Sequence, residues 1–202
     1  MFEVTEVILW LENNPEWIAT AIFLSAFVET FALIGIIVPG VVLLTLISGL
    51  ASNTSLDIVQ VFSIAFIGSL IADILSYFMG KSLSKSIDSI KPFKTNPGLL
   101  DRGRAFFGNY GILSIFFGKF IGPIRPLMPI TAGTLNMDTS KFLLIDTFGC
   151  LMWSLLYTLP GFIAGKAILE QYNNPAFIAA IIASVVISIF VANYLIKRTS
   201  KG

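Results

Sequence analysis

The stretch Gly118-Lys119-Phe120-Ile121-Gly122-Pro123-Ile124-Arg125-Pro126-Leu127-Met128-Pro129 decides how this chain must fold. It lies inside an apolar run, residues 105–137, whose only charges are Lys119 and Arg125. A spanning helix takes about 20 apolar residues at roughly 1.5 Å each, so this run is too long for one upright helix. Its prolines remove backbone donors and clash with the preceding turn, so the helix must break. Backbone without helical bonds survives at membrane depth only where protein buries it or where it lines a wet cavity. The run therefore reads as a re-entrant, broken hairpin.

Working outward, residues 17–56 repeat the pattern, with Glu29 as the only charge and Gly35 and Pro39-Gly40 as breaks. The runs between and after fit single spans: 58–80 contains only Asp73, 142–165 only Asp146, and 176–196 no charge. Pro39, Gly40, Pro126, Pro129 and Gly133 are read as the residues that shape the two hairpins. With 55% hydrophobic and 12% charged residues, against about 25% charged in a soluble domain, these segments leave no room for a separate soluble domain.

Composition also limits the chemistry. There is no histidine, so the commonest metal ligand and general base are missing, and proton handling near neutral pH falls to Asp or Glu in a low-dielectric site. Cys150 is the only cysteine, which excludes an intrachain disulfide and a thiolate cluster. Neither a metal nor a cofactor is expected. A net charge of +1 points to no polyanion, so nucleic acid is not an expected partner. No basic region precedes the first apolar run, and a cleaved signal peptide is not expected.

Orientation follows from the cations. The loop 81–104 holds Lys81, Lys85, Lys91, Lys94, Arg102 and Arg104 against Asp88 and Asp101, and the tail holds Lys197, Arg198 and Lys201. Both belong in the cytoplasm by the positive-inside rule. Counting back from the tail puts the 134–141 turn inside, so 105–137 begins and ends on the cytoplasmic side. The same count puts 52–57 outside. With an outside N-terminus, 17–56 re-enters from the opposite face, and residues 1–16, with Val4, Val7, Ile8 and Leu11 on one side, lie as an interfacial helix. The expected fold is an all-α integral membrane protein, a single membrane domain over 1–202. Two inverted halves, each a re-entrant hairpin plus a transmembrane helix, are followed by one extra transmembrane helix. Glu29 precedes Pro39 by ten residues and Lys119 precedes Pro129 by ten, a loose internal match. Inverted repeats of broken helices are an architecture of secondary transporters, with the site near midplane.

These residues resemble the DedA family, also called the SNARE-associated or VTT-domain superfamily. The resemblance is carried by Phe107-Gly108-x-Tyr110-Gly111, by Gly118 through Pro126, and by Pro129, Ala132-Gly133, Met137, Phe142, Gly149 and Trp153. Gly68 through Asp73, Tyr77 and Gly80-Lys81 match a second stretch, and Glu29 with Pro39-Gly40 a third. Lys119 stands where the family usually has Arg, and Val41 where an acid often follows the Pro-Gly pair. Ala72 and Ser76 replace glycines, and Asp146 a frequent Asn. The resemblance implies a multi-pass protein of the bacterial cytoplasmic membrane that flips an anionic lipid, undecaprenyl phosphate, with dependence on the proton motive force. Eukaryotic relatives imply the alternative of an energy-independent phospholipid scramblase.

The charges are weighed against that background. Arg at a helix centre costs about 2.5–3.5 kcal/mol on insertion scales, tolerated where it faces a cavity or partner, and its planar fork suits phosphate. Arg125 is thus the first candidate for the lipid phosphate, with Lys119 adding a point charge; a lysine there can also snorkel to the cytoplasmic face. Glu29 and Asp73 are candidates for proton coupling, or for salt bridges to those cations. Asp146 reads as a helix-start or interface residue, and Trp10, Trp17 and Trp153 as belt or packing residues. Lys119…Arg125-Pro126 superficially resembles the opening of a membrane lipid phosphatase motif, but phosphohistidine chemistry is impossible without histidine, so an enzyme is not expected. The remaining alternatives are a proton-coupled exporter of small cations or osmolytes and a membrane scaffold. The expected partners are the anionic head group and protons, with a homo-oligomer left open.

Overall fold

The computed structural model describes residues 10–11, 13–32, 40–87, 93–96, 98–122 and 124–171, with Gly40, Val41 and 166–171 by backbone alone. All regular elements among them are helical: a 3₁₀ turn Pro15–Trp17, then α1 (Ile18–Thr30), α2 (Gly40–Ala51), α3 (Ile58–Ser82), α4 (Gly98–Tyr110), α5 (Leu113–Gly118), α6 (Leu127–Thr134) and α7 (Thr139–Gln171). Residues 1–165 form one compact unit, described next, and 166–202 a second, of which the helical backbone to Gln171 is described.

Among the described residues, two helices are long and apolar enough to cross a membrane, within Ile58–Ser82 and Thr139–Gly165. Both carry an inside-out pattern. On α7 the buried positions Phe142, Asp146, Gly149, Cys150, Trp153, Ser154 and Thr158 recur at helical spacing, and large apolar Leu144, Phe148, Met152, Leu156 and Ile163 occupy the exposed face. On α3 the buried face is small or polar (Ala65, Gly68, Ser69, Ala72, Asp73, Ser76), and Val59, Ile67, Ile71, Leu75 and Phe78 face outward. Lipid as solvent permits this arrangement, since apolar side chains gain nothing by leaving it and small residues let helices approach closely.

The other helices are short: 13 residues in α1, 12 in α2, 13 in α4, 6 in α5 and 8 in α6. None reaches the length of a full span. The two runs read as broken hairpins are thus interrupted in the structure. In the second, Gly111 adopts a left-handed φ of 57° between α4 and α5, and turns and a bend at 119–122 and 124–126 lie between α5 and α6. In the first, α1 stops at Phe31, whose backbone is extended, and Ala32 N–H donates to Ser76 Oγ of α3 at 3.1 Å.

Some expectations are corrected. Pro126 caps the start of α6, but Pro129 and Gly133 lie inside that helix. Pro129 is tolerated because it sits in the first turn, where a missing N–H costs no intrahelical bond. Gly133 is a crossing point: a Cβ there would collide with Tyr77 O of α3, as one on Gly80 would with Ile130 O of α6. Gly40 opens α2 as its first residue, and Pro39 lies outside the described residues. Part of the 81–104 loop is helical, because α4 begins at Gly98. Of the proposed interfacial helix 1–16 only residues 10–11 and 13–16 are described, with Leu11 buried beside Ile18 and Ile22. The 176–196 span lies outside the described residues.

At its start α3 is fixed by a capping box, Asp57 accepting from Gln60 N–H and Gln60 from Asp57 N–H. At its other end Tyr77 stacks on Phe142 and its hydroxyl donates to Met137 O at 2.6 Å, which locks α3 to the entry of α7.

Candidate functional site

Fourteen polar or charged side chains are buried among the described residues, and five of the ionic ones gather in two groups along α7. Unpaired charge is costly in such surroundings, so the partners of each are informative.

The first group joins the two hairpins. Glu29, at the last turn of α1, and Arg125, in the turns before α6, are 6% and 5% exposed. Their charges meet as an ion pair, 2.8 Å between Arg125 Nη1 and Glu29 Oε1. Behind the guanidinium, Trp153 of α7 presents its ring, 4.6 Å from Arg125 Cζ to the ring centroid, within cation–π range. The pair is incompletely bonded: Glu29 Oε2, Arg125 Nε, Trp153 Nε1 and the neighbouring Ser154 Oγ are all buried without a hydrogen-bond partner among the described residues.

The second group centres on Lys119, which follows α5 directly and is 3% exposed. Its ammonium forms ion pairs with Asp73 of α3 and, at 2.9 Å, with Asp146 of α7, and it donates to Cys150 Sγ at 3.1 Å. The Cys150 thiol in turn lies 3.4 Å from Asp73 Oδ2 and 3.7 Å from Asp146 Oδ2. Of the three donors of an ammonium, two are hydrogen-bonded, to Asp73 and Cys150, and Asp146 adds an ion pair. The stem of Lys119 runs across Gly149, where a Cβ would collide with its Cδ and Cε. Two carboxylates against one ammonium leave one negative charge in excess. Asp73, Asp146 and Cys150 also place one metal-type ligand atom each within 4.8 Å of one another, and the Lys119 ammonium sits among them in the position a cation would take.

The sequence-derived candidates are therefore divided. Glu29 meets Arg125, and Asp73 meets Lys119, so the four charges form two groups instead of surrounding one cavity. Lys119 does not snorkel to a surface; the two aspartates hold it inside. Asp146, read from the sequence as a helix-start residue, is fully buried and belongs to the ionic network, because α7 begins at Thr139 and turns it inward. Cys150 and Trp153 were also missed as site neighbours. The signal that could have found them is their spacing: 146, 150, 153 and 154 fall on one face of a helix. Trp10 and Trp17 are half exposed, as belt residues should be, and Trp153 is 1% exposed.

A family model described as the VTT domain matches residues 38–163, which include every residue of both groups except Glu29. The inner membrane protein YabI of Escherichia coli (strain K12) is 36% identical over 148 residues, 73% of this chain and 58% of YabI. A membrane protein of Buchnera aphidicola subsp. Baizongia pistaciae is 34% identical over 152 residues, 75% of this chain and 59% of the relative. The protein DedA of Escherichia coli (strain K12) is 27% identical over 169 residues, 82% of this chain and 77% of DedA. The chain spans about three fifths of the length of the first two relatives. No solved structure matches it. The interrupted hairpin helices, the inside-out spans and the match over 38–163 agree: this chain belongs to the VTT-domain, or DedA, family of membrane proteins.

Proposed function

We propose that this protein carries an anionic lipid head group, most simply that of undecaprenyl phosphate, across the cytoplasmic membrane as a multi-pass, proton-coupled transporter and not as an enzyme. The observation that carries the reading is the buried Glu29–Arg125 pair, one member from each interrupted helical run. Such a residue is expensive at membrane depth and marks a substrate path or proton relay. Two hairpins entering from opposite leaflets, in keeping with helices too short to span, would thin the barrier between the leaflets around that pair. The phosphate exchanges with or joins Glu29 on the Arg125 fork. Proton uptake by Glu29 loosens its hold on Arg125, which links head-group binding to the gradient. Asp73 acts through Lys119: the ammonium reaches a phosphate only when one of its carboxylates takes up a proton and releases a donor.

A second reading is a proton-coupled exporter of small cations, favoured by the excess negative charge around Lys119. Reconstitution in liposomes separates the two. Leaflet exchange of labelled undecaprenyl phosphate, and of a labelled phospholipid, is followed with and without a pH gradient. Lipid exchange is expected, Arg125→Ala should abolish it with insertion intact, and Glu29→Gln should remove the gradient response. Exchange that persists in Arg125→Ala refutes the phosphate assignment. Exchange of both lipids without any gradient response would mark a scramblase, and cation flux without lipid exchange would select the second reading.

A further inference from the structure

Buried hydrogen-bonding atoms are rarely left unpaired, since the desolvation of each then goes uncompensated. Six buried side-chain atoms among the described residues lack a hydrogen-bond partner. One is compensated locally: Asp146 Oδ1 by the Lys119 ammonium 2.9 Å away. Thr131 Oγ1 is pressed over Gly103, where α4 crosses α6. Of the other four, Glu29 Oε2, Arg125 Nε and Trp153 Nε1 belong to residues in mutual contact, and Ser154 Oγ belongs to the residue next to Trp153 in the chain. Glu29 bonds Arg125, Arg125 stacks on Trp153, and Ser154 follows Trp153 on the inward face of α7.

The chemistry of these atoms is specific. Arg125 turns Nη1 toward Glu29 and leaves Nε without a hydrogen-bond partner, and Nε together with Nη2 is one of the two geometries in which guanidinium grips an oxyanion bidentately. Indole N–H is a donor that can never accept, so it suits an anion and not a cation. A serine hydroxyl serves as a further donor. Three donors from two elements, all buried beside a positive charge, suit an oxygen-rich acceptor, an oxyanion above all.

We propose that Trp153 is a ligand-binding residue, its indole N–H joining the free Nε edge of Arg125 and the Ser154 hydroxyl in a three-donor cradle for one oxyanion. The inference rests on the reading of Arg125 as the phosphate residue and extends it. Glu29 keeps its place on Nη1 while the anion binds the other edge, so the ion pair need not break first. The stacked ring also holds the guanidinium plane, so Trp153 both binds and positions.

Trp153→Phe separates these roles, because phenylalanine keeps the stacking face and removes the N–H. In the liposome assay the mole fraction of undecaprenyl phosphate giving half-maximal exchange should rise about tenfold, the usual scale of a lost hydrogen bond to a charged group, with the maximal rate and thermal midpoint retained. A lowered midpoint with unchanged half-saturation would mean that the indole is only packing, and would overturn the proposal. A second measurement does not depend on that variant. With Trp10 and Trp17 replaced by Phe, Trp153 is the sole indole, and its emission is read against phosphatidylcholine vesicles with or without undecaprenyl phosphate, and against inorganic phosphate in plain buffer. A saturable change is expected with the lipid; a change with inorganic phosphate alone supports the same cradle but a soluble source. No change with either overturns it. Loss of exchange in Arg125→Ala together with unaltered Trp153→Phe kinetics would sink this inference and leave the transport reading standing, whereas exchange retained in Arg125→Ala would sink that reading.

Discussion

Lys119 and Arg125 are six residues apart in one proline-rich turn region, yet they live in opposite conditions. The Lys119 ammonium meets three acceptors, and its neighbourhood carries more negative than positive charge. Arg125 meets a single carboxylate oxygen, and polar atoms around it lack partners. A cation ringed by three acceptors is held in place; one facing a single carboxylate oxygen keeps donors to spare. The difference teaches that burial of a charge does not identify a ligand site, whereas the tally of its unmade bonds does.

The largest test of this contrast is Lys119→Ala. It strands two buried carboxylates, and removing one partner of a buried ion pair costs about 3–5 kcal/mol; thermal unfolding in detergent should show a lower midpoint than for Arg125→Ala, which strands one. Equal loss in the two variants would break the comparison. Next is Gly149→Ala, which puts a methyl group against the Lys119 stem and leaves Arg125 untouched. Overpacking of this kind costs about 1–3 kcal/mol, and the transport defect should follow stability instead of half-saturation. The smallest effect is expected for Asp146→Asn. It removes the excess negative charge while Asp73 still pairs Lys119, so stability should change by less than about 1 kcal/mol, within the range of a single hydrogen bond. A loss as large as that of Lys119→Ala would show that both carboxylates are needed as anions.

Much of the architecture was legible because lipid makes sequence patterns strict. Prolines and glycines in runs too long for one helix forecast that both would break, although α1 already stops at Phe31, ahead of the expected Gly35, and long apolar runs with a single acid each marked α3 and α7. Glu29 and Arg125 stood out as isolated charges in apolar surroundings, and they meet. What escaped was set by contacts between distant segments. Asp146 looked terminal because its distance from the nearest loop was counted along the chain, and only the inward turn of α7 and the approach of Lys119 over Gly149 make it central. Trp153 was indistinguishable by type from Trp10 and Trp17; its helical phase relative to Asp146 and Cys150 separates it. Gly133 and Pro129 read as breaks because both residues break helices in general, but a proline in a first turn and a glycine beneath a neighbouring carbonyl are compatible with a helix.

Asp146, Cys150, Trp153 and Ser154 share one rigid rod, with roughly 10 Å of rise separating the first from the third. Rolling α7 about its long axis would therefore withdraw the second carboxylate from Lys119 and the indole from Arg125 in the same stroke. Two buried ionic groups mounted on a common shaft would keep time with each other without any chain of intermediaries between them.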